Sequence, residues 1–475
     1  PLDPLDFEAR PGVRGAAWPI AHDEVAAHYP RACRYADCGD ASFRLAEAWG
    51  GRPAAPIAEG FVDAEVRSDH LERWCAVPAL VERLGPMIDS EPRIRTRIGQ
   101  TCIGLELRDG GRTVAGVRLV YTLSGAAVAE PLRADAVVLA CGGVESTRLL
   151  LHFAHASTPL RVEGRAFLGV GYMGHLSGKI ASIQLAGDAA KTIYDFERIG
   201  GRYLRRRFVL SESALRELGL LNIAMWLDNP PPADPAHGSG ILSAAYLGMR
   251  MPVIGRRLAP NAIRQSLLRR ASAGGLAPHI ANVVRSLPST LAFVTRFIRS
   301  RYFSTPRRPG FFAHSPSNLY ALHFHAEQTP NDDSRIELDT ARDALGVPRA
   351  RLSLRFSRRD AESIVAAHAA LDRHLRSHGI GELRYWYPPA ERVDAVLHQA
   401  RDGFHQLGGT RMAAGPEAGV TDCEGRVFGT NNLYVCSSAL FPTSGQANPT
   451  LTILALAIRQ AAHLAATVGA VAEPA

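Results

Sequence analysis

The stretch ADAVVLACGGVESTRLLL, residues 134–151, limits the choice of fold more than any other. An uninterrupted apolar run meets Gly142 and Gly143 and passes into helix-forming residues. A strand that is apolar at every position is written for burial on both faces, which predicts a parallel sheet with helices over both sides. The expected class is α/β. Just upstream, TCIGLELRDGGRTVAGVRLVY alternates at period two around Asp109-Gly110-Gly111, a hairpin turn.

Strand patterns continue through residues 176–240 as far as the proline-rich NPPPADP, then recur at LYALHFHAEQ, SRIELD and RARLSLRFS. A helix is expected after Ser357, with Asp360 three residues later standing where a capping box usually has Glu. NLYVC reads as a strand. The apolar LTILALAIRQAAHLAATVGAVA is interrupted by Arg459, Gln460 and His463, so a buried amphipathic helix is expected there rather than a membrane span. Residues 1–90 read as loops and short helices. A chain of 475 residues has room for two or three domains, or for one large α/β domain with insertions. The expected division is a connecting region at 1–90, a sheet domain split between 91–180 and 401–475, and an α+β domain at 181–400.

Apolar residues at 46% and charged residues at 21% exclude wholesale disorder. Seven cysteines, an odd number with no CxxC pair, form neither a disulfide framework nor a zinc ribbon. They point to a reducing compartment, and the cytoplasm is the expected location. The net charge of +8 is unevenly spread: residues 241–310 hold twelve arginines and no acid, with aliphatic residues between them. Such a segment can lie on an anionic membrane or dock a protein partner. The plainer reading is a solvated helical insertion. No nucleic-acid-binding motif accompanies the charge, so nucleic acid is not an expected partner.

Two motifs are set aside. GVGYMG, residues 169–174, fits GxGxxG, but a dinucleotide fingerprint needs an apolar strand before it and a helix after it. Here RVEGRAF precedes and the strand-like HLSGKIASIQL follows. His323, His325 and Glu327 in HFHAE share a strand face and could present three metal ligands. Histidines in sheets are commonly hydrogen-bonded structural residues, and no metal is expected.

The C-terminal quarter is more specific. His405 opens HQLGGTRM, whose glycines let backbone approach a ligand closely. Asn448 precedes Pro449 and Thr450 at the start of the last helix, the order preferred at a helix N-terminus, whose positive end favours an anionic ligand. Read singly, His405 is a structural histidine and Asn448 caps its own helix. Together, HxxGGTRM and LYVCSSALFPTSGQANPTLTILALA resemble the glucose–methanol–choline (GMC) oxidoreductases. PLDPLDFE, AAWPIAHDEVAAHY, the strand-turn-helix at 134–151 and EQTPNDDSRIEL extend that resemblance over almost the whole chain.

The resemblance implies FAD as cofactor and oxidation of a CH–OH group of a small alcohol or sugar, with an electron acceptor that the sequence does not specify. It implies that His405 takes the hydroxyl proton and that Asn448 donates a hydrogen bond to the developing alkoxide. It places the flavin ring near Asn448, Pro449 and Thr450, Ser437 and Ser438 at the cofactor's phosphates and ribose, and Gly142 and Gly143 beside the adenosine. The two sheet portions become FAD-binding parts and 181–400 the substrate domain. The family's strand–GxGxxG–helix unit, of roughly 30 residues or more, is expected upstream of Pro1, leaving strand edges unpaired and FAD held weakly by this chain alone. The alternative is a non-catalytic protein of the same fold that docks a membrane or a partner through its arginine-rich segment. A metal enzyme built on HFHAE is a further rival.

Overall fold

The computed structural model describes the chain apart from residues 14, 16, 77–79, 157–158, 259–263, 265–274, 401–404 and 470–475, and apart from the side chains of 257, 258 and 469. Most of the arginine-rich NAIRQSLLRRA therefore lies outside the described residues.

Within the described residues the strands run β1 (Val66–Arg73), β2 (Gln100–Arg108), β3 (Thr113–Tyr121), β4 (Val137–Leu139), β5 (Leu176–Leu185), β6 (Glu197–Ile199) and β7 (Arg202–Leu210). They continue as β8 (Ile223–Asp228), β9 (Leu319–Ala326), β10 (Arg335–Arg342), β11 (Pro348–Ser353), β12 (Gly381–Tyr385) and β13 (Leu433–Val435). The helices that matter below are α1 (Tyr29–Ala36), α2 (Gly142–Ala154), α3 (Gly240–Arg250), α4 (Pro252–Leu258), α5 (Ala277–Arg285), α6 (Leu287–Tyr302), α7 (Arg358–Ser377) and α8 (Thr450–Gly469).

The class is α/β with mixed pairing. One large antiparallel sheet has the order β1-β7-β8-β9-β5-β12, with β6 beside β7. The parallel part is the pair β13–β4, and β2–β3 and β10–β11 are hairpins. Asp109, Gly110 and Gly111 all have positive φ in the first hairpin turn, as the sequence there requires. The apolar strand that promised burial on both faces is met only in part. In β4, Leu139 is buried but Val138 is 37% exposed, because the parallel sheet consists of two short strands among the described residues.

Two apolar cores divide the molecule. One gathers α2, β13 and α8 with Leu2, Phe7 and Trp18 from the N-terminal segment. The other lies on the antiparallel sheet around Phe208, Tyr320 and Phe324, covered by Ile364 and Leu371 of α7. Leu5 joins the second core, so the first seven residues stitch both together.

Strand β1 is the main element that a sequence reading misses. VRSDHLER looks like a charged loop, yet it pairs with β7, and its acid Glu72 sits opposite Arg205. Glu72 is ion-paired with both Arg205 and Arg207, so the charges that argue against a strand are neutralised across it. Helix α7 begins at the expected capping box, Ser357 Oγ accepting from the Asp360 amide and Asp360 accepting from the Ser357 amide. Helix α8 is long and apolar enough to cross a membrane. Its polar residues nonetheless meet protein: Arg459 pairs with Glu424 at 2.9 Å, and Gln460 donates to the carbonyls of Glu424 and Val435.

Inside α7, His368 is fully buried and its Nδ1 bonds the Ile364 carbonyl at 2.8 Å. Burial lowers its pKa from 6.5 to about 4. Unfolding releases a ring that binds a proton at its ordinary pKa, so this stability is present above about 6.5 and is lost as pH falls through about 4. The urea midpoint should therefore fall across that window, and His368→Leu should flatten the fall.

Candidate active site

Three histidines meet where the two cores join. His325 comes from β9, His175 precedes β5, and His405 lies on the glycine loop. The loop is held beside the β5 approach by paired backbone bonds, Met173 N–H to the Leu407 carbonyl at 2.8 Å and Leu407 N–H to the Met173 carbonyl at 3.0 Å. Gly408, at φ +74°, permits this contact, since a Cβ there would lie 2.2 Å from the Gly171 carbonyl oxygen. The glycine loop thus approaches backbone at this point. The sequence reading expected its glycines to admit a ligand.

His405 Nδ1 lies 3.0 Å from His175 Nδ1, so one of the two nitrogens carries the proton and the other accepts it. His175 and His325 stack with centroids 4.4 Å apart, and His405 meets His175 edge-on at 4.9 Å. His325 Nδ1 donates to the Gln446 carbonyl at 2.8 Å, which fixes its tautomer. Burial, then the neighbouring His325 and His405, hold the His175 pKa well below the ordinary imidazole value. Burial likewise lowers His325 to about 3, despite the Gln446 carbonyl. Both rings are therefore neutral at neutral pH, and His175 Nε2 closes no hydrogen bond among the described residues. The donor nitrogens of the three rings lie within 4.8 Å of one another, close enough for a metal ion. The planes of His175 and His325 are 26° apart, so the in-plane lone pairs of these two rings lie in nearly parallel planes.

The HFHAE residues engage different partners. His323 bonds Asp228 at 3.0 Å and stacks on Trp226. His325 joins the cluster. Glu327 is buried against Arg10.

Asn448 lies apart from the histidine cluster. It is exposed at the wall of a cavity of about 670 Å³, with Thr450, Leu451, Gln446, Arg207 and Glu72 around it. Its Nδ2 donates weakly to Glu72 Oε1 at 3.5 Å. Burial would raise the Glu72 pKa, but Arg205 and Arg207 outweigh it and hold the carboxylate at about 2. His405 and Asn448 thus have different partners, and Gln446 spans them. Its carbonyl holds His325, its side-chain oxygen accepts from Arg207 at 3.1 Å, and it lines the cavity beside Asn448. Pro449 is buried at the same bend.

The remaining predicted positions lie under the loop. Ser438 donates to the Gln406 carbonyl, and Ser437 Oγ accepts from the Ala439 amide at 3.2 Å. Gly142 is open at φ +81°, with nothing within 4 Å of an added Cβ. At Gly143 a Cβ would lie 2.3 Å from the Gln406 carbonyl oxygen. Sequence reasoning missed His175, Gln446, Glu72 and Arg207. His175 directly follows the rejected GVGYMG, and only its place beside β5 brings it to His405.

Residues 330–457, which include His405 and Asn448, match the family described as GMC oxidoreductase. The chain is 31% identical over 141 residues to 6'''-hydroxyparomomycin C oxidase of Streptomyces lividus, an alignment covering 29% of this chain and 24% of that protein. It is 36% identical over 78 residues to cholesterol oxidase of Acinetobacter baumannii, covering 16% and 14%. It is 30% identical over 150 residues to 2-methyl-1,2-propanediol dehydrogenase of Mycolicibacterium austroafricanum, covering 31% and 26%. The matched stretch thus spans about a quarter or less of these relatives. Among solved structures, pyridoxine 4-oxidase from Mesorbium loti superposes with a TM-score of 0.46 at 15% identity, covering 94% of this chain and 70% of that one. The chain is thus similar to the GMC oxidoreductases over its C-terminal stretch, the part that carries both motifs.

The tight seat of the Gln406 carbonyl on α2 gives a direct test. Gly143→Ala should displace the loop that carries His405 and cost about 1–3 kcal/mol in chemical unfolding, as overpacking does.

Proposed function

We propose that this chain acts as an FAD-dependent oxidoreductase on a CH–OH group of a small alcohol or sugar. The observation that carries the reading is the 3.0 Å contact between His405 Nδ1 and His175 Nδ1 inside a buried cluster, which Gln446 links through His325 to a cavity that Asn448 lines. The residues present fit the flavin end of the cofactor: Asn448 and Thr450 stand at the cavity wall, and α8 points its N-terminal end there. Bound FAD would supply the acceptor for the hydride leaving the alcohol carbon.

The rest of the chemistry falls to this chain's side chains. His405 takes the hydroxyl proton, a task suited to an imidazole at neutral pH. His175, kept neutral by burial, orients that ring through the shared Nδ1 contact and stabilises it once it is charged. Asn448 offers its amide to the developing alkoxide. The rival reading, a chain that only docks a membrane or partner, leaves this buried cluster without a purpose. The two roles are compatible. The seven cysteines are all free thiols, which suits a cytoplasmic protein.

Visible absorption of the purified chain with added FAD, followed by anaerobic bleaching with a panel of alcohols and sugars, tests the reading. Bleaching should be slowed at least about 100-fold by His405→Ala with flavin still bound, the usual scale for a lost general base. Most of the activity surviving in that variant would remove His405 from the mechanism. A chain that takes up no flavin would favour the docking reading.

A further inference from the structure

Helices α5 and α6 are built inside out. Their buried positions are polar: His279, Asn282 and Thr290. Asn282 Nδ2 donates to the Pro235 carbonyl at 2.9 Å, and His279 Nδ1 bonds Ser243 of α3 at 3.1 Å. The outward positions are aliphatic: Ile280, Val284, Leu287, Leu291 and Ile298 are each 43–65% exposed. Within each helix they recur at helical spacing, Ile280 and Val284 on α5 and Leu287, Leu291 and Ile298 on α6, four or seven residues apart. Phe303, just beyond α6, is 80% exposed. A soluble surface helix has the reverse arrangement, and scattered exposure does not repeat at helical spacing.

Charge selects the partner. Arg285, Arg296 and Arg299 are exposed on the same helices, in a segment of 70 residues that has no acid. The centre of a protein interface is depleted of charge and rich in aromatic anchors. Aliphatic residues flanked by arginines of one sign are what an anionic lipid surface receives.

We propose that the α5–α6 face lies on an anionic lipid bilayer, with its aliphatic stripe entering the acyl boundary and its arginines at the headgroups. The surface is continuous with the site described above, because Arg301, at the end of α6, and Arg307 also line the cavity beside Asn448. An alcohol held in the bilayer is then the substrate class delivered to that cavity, a step that rests on the oxidoreductase reading.

Co-sedimentation of the full chain with vesicles tests the docking without flavin or turnover. Binding to equal parts phosphatidylglycerol and phosphatidylcholine should be at least about tenfold stronger than to phosphatidylcholine alone, and should weaken as salt rises. The double variant Leu291→Ser/Ile298→Ser, checked for an unchanged melting temperature, should lose about tenfold of that binding. A chain that stays in the supernatant with both lipids overturns the proposal. So does a double variant that binds like the parent, or one whose only change is loss of a dimer on size exclusion. With flavin supplied, a long-chain alcohol in mixed vesicles should be oxidised about tenfold faster than in phosphatidylcholine vesicles. Equal rates beside intact vesicle binding would overturn the substrate class alone. No oxidation of any alcohol, beside intact vesicle binding, would overturn the oxidoreductase reading and leave the lipid surface standing.

Discussion

The paired backbone bonds between Met173 and Leu407 are the joint on which the site depends. They are reinforced by the Gly169 amide donating to the Gly409 carbonyl at 2.7 Å. Gly408 and Gly169 lie on the two sides of that joint, each with another carbonyl where a Cβ would go. GVGYMG and HQLGG are therefore two halves of one close contact between chain segments. With that contact in place, His175 and His405 share a proton-bearing hydrogen bond. Without it they belong to different parts of the chain, 230 residues apart.

The second constraint is electrostatic. Glu72, Arg205 and Arg207 are nearly buried, as are Arg10 and Glu327. Removing two charges from water costs several kcal/mol per ion, and close pairing must offset it. Such groups add little net stability, but they fix register. Glu72 sets β1 against β7, and Arg10 ties the N-terminal segment to the end of β9 through Glu327. Arg207 and Glu72 also reach the cavity wall, so the same charges that align the sheet give the cavity its polar side.

Much of the fold was legible because local rules carried it. The hairpin at Asp109-Gly110-Gly111, the capping box at Ser357 and the strand after GVGYMG rest on positive φ, side-chain capping and period-two alternation, all readable within a few residues. Strand β1 was not legible, because its charges look exposed until Arg205 and Arg207 are known to face them. The inverted helices α5 and α6 were legible as basic and amphipathic. Which side faced outward was not, since nothing in the sequence says that Ser243 and the Pro235 carbonyl wait for His279 and Asn282.

By itself the sequence determined much of the alternation of strands and helices and the likeness of its C-terminal motifs to the GMC oxidoreductases, and it singled out His405 and Asn448 as candidates. These are properties of spacing and residue type. The tertiary structure decided the partners: His175 and His325 for His405, Glu72 for Asn448, and Gln446 as the residue that joins the two sets. Those pairings depend on where distant segments cross. Close backbone approach and burial of charge set that crossing, and neither can be read from neighbours along the chain.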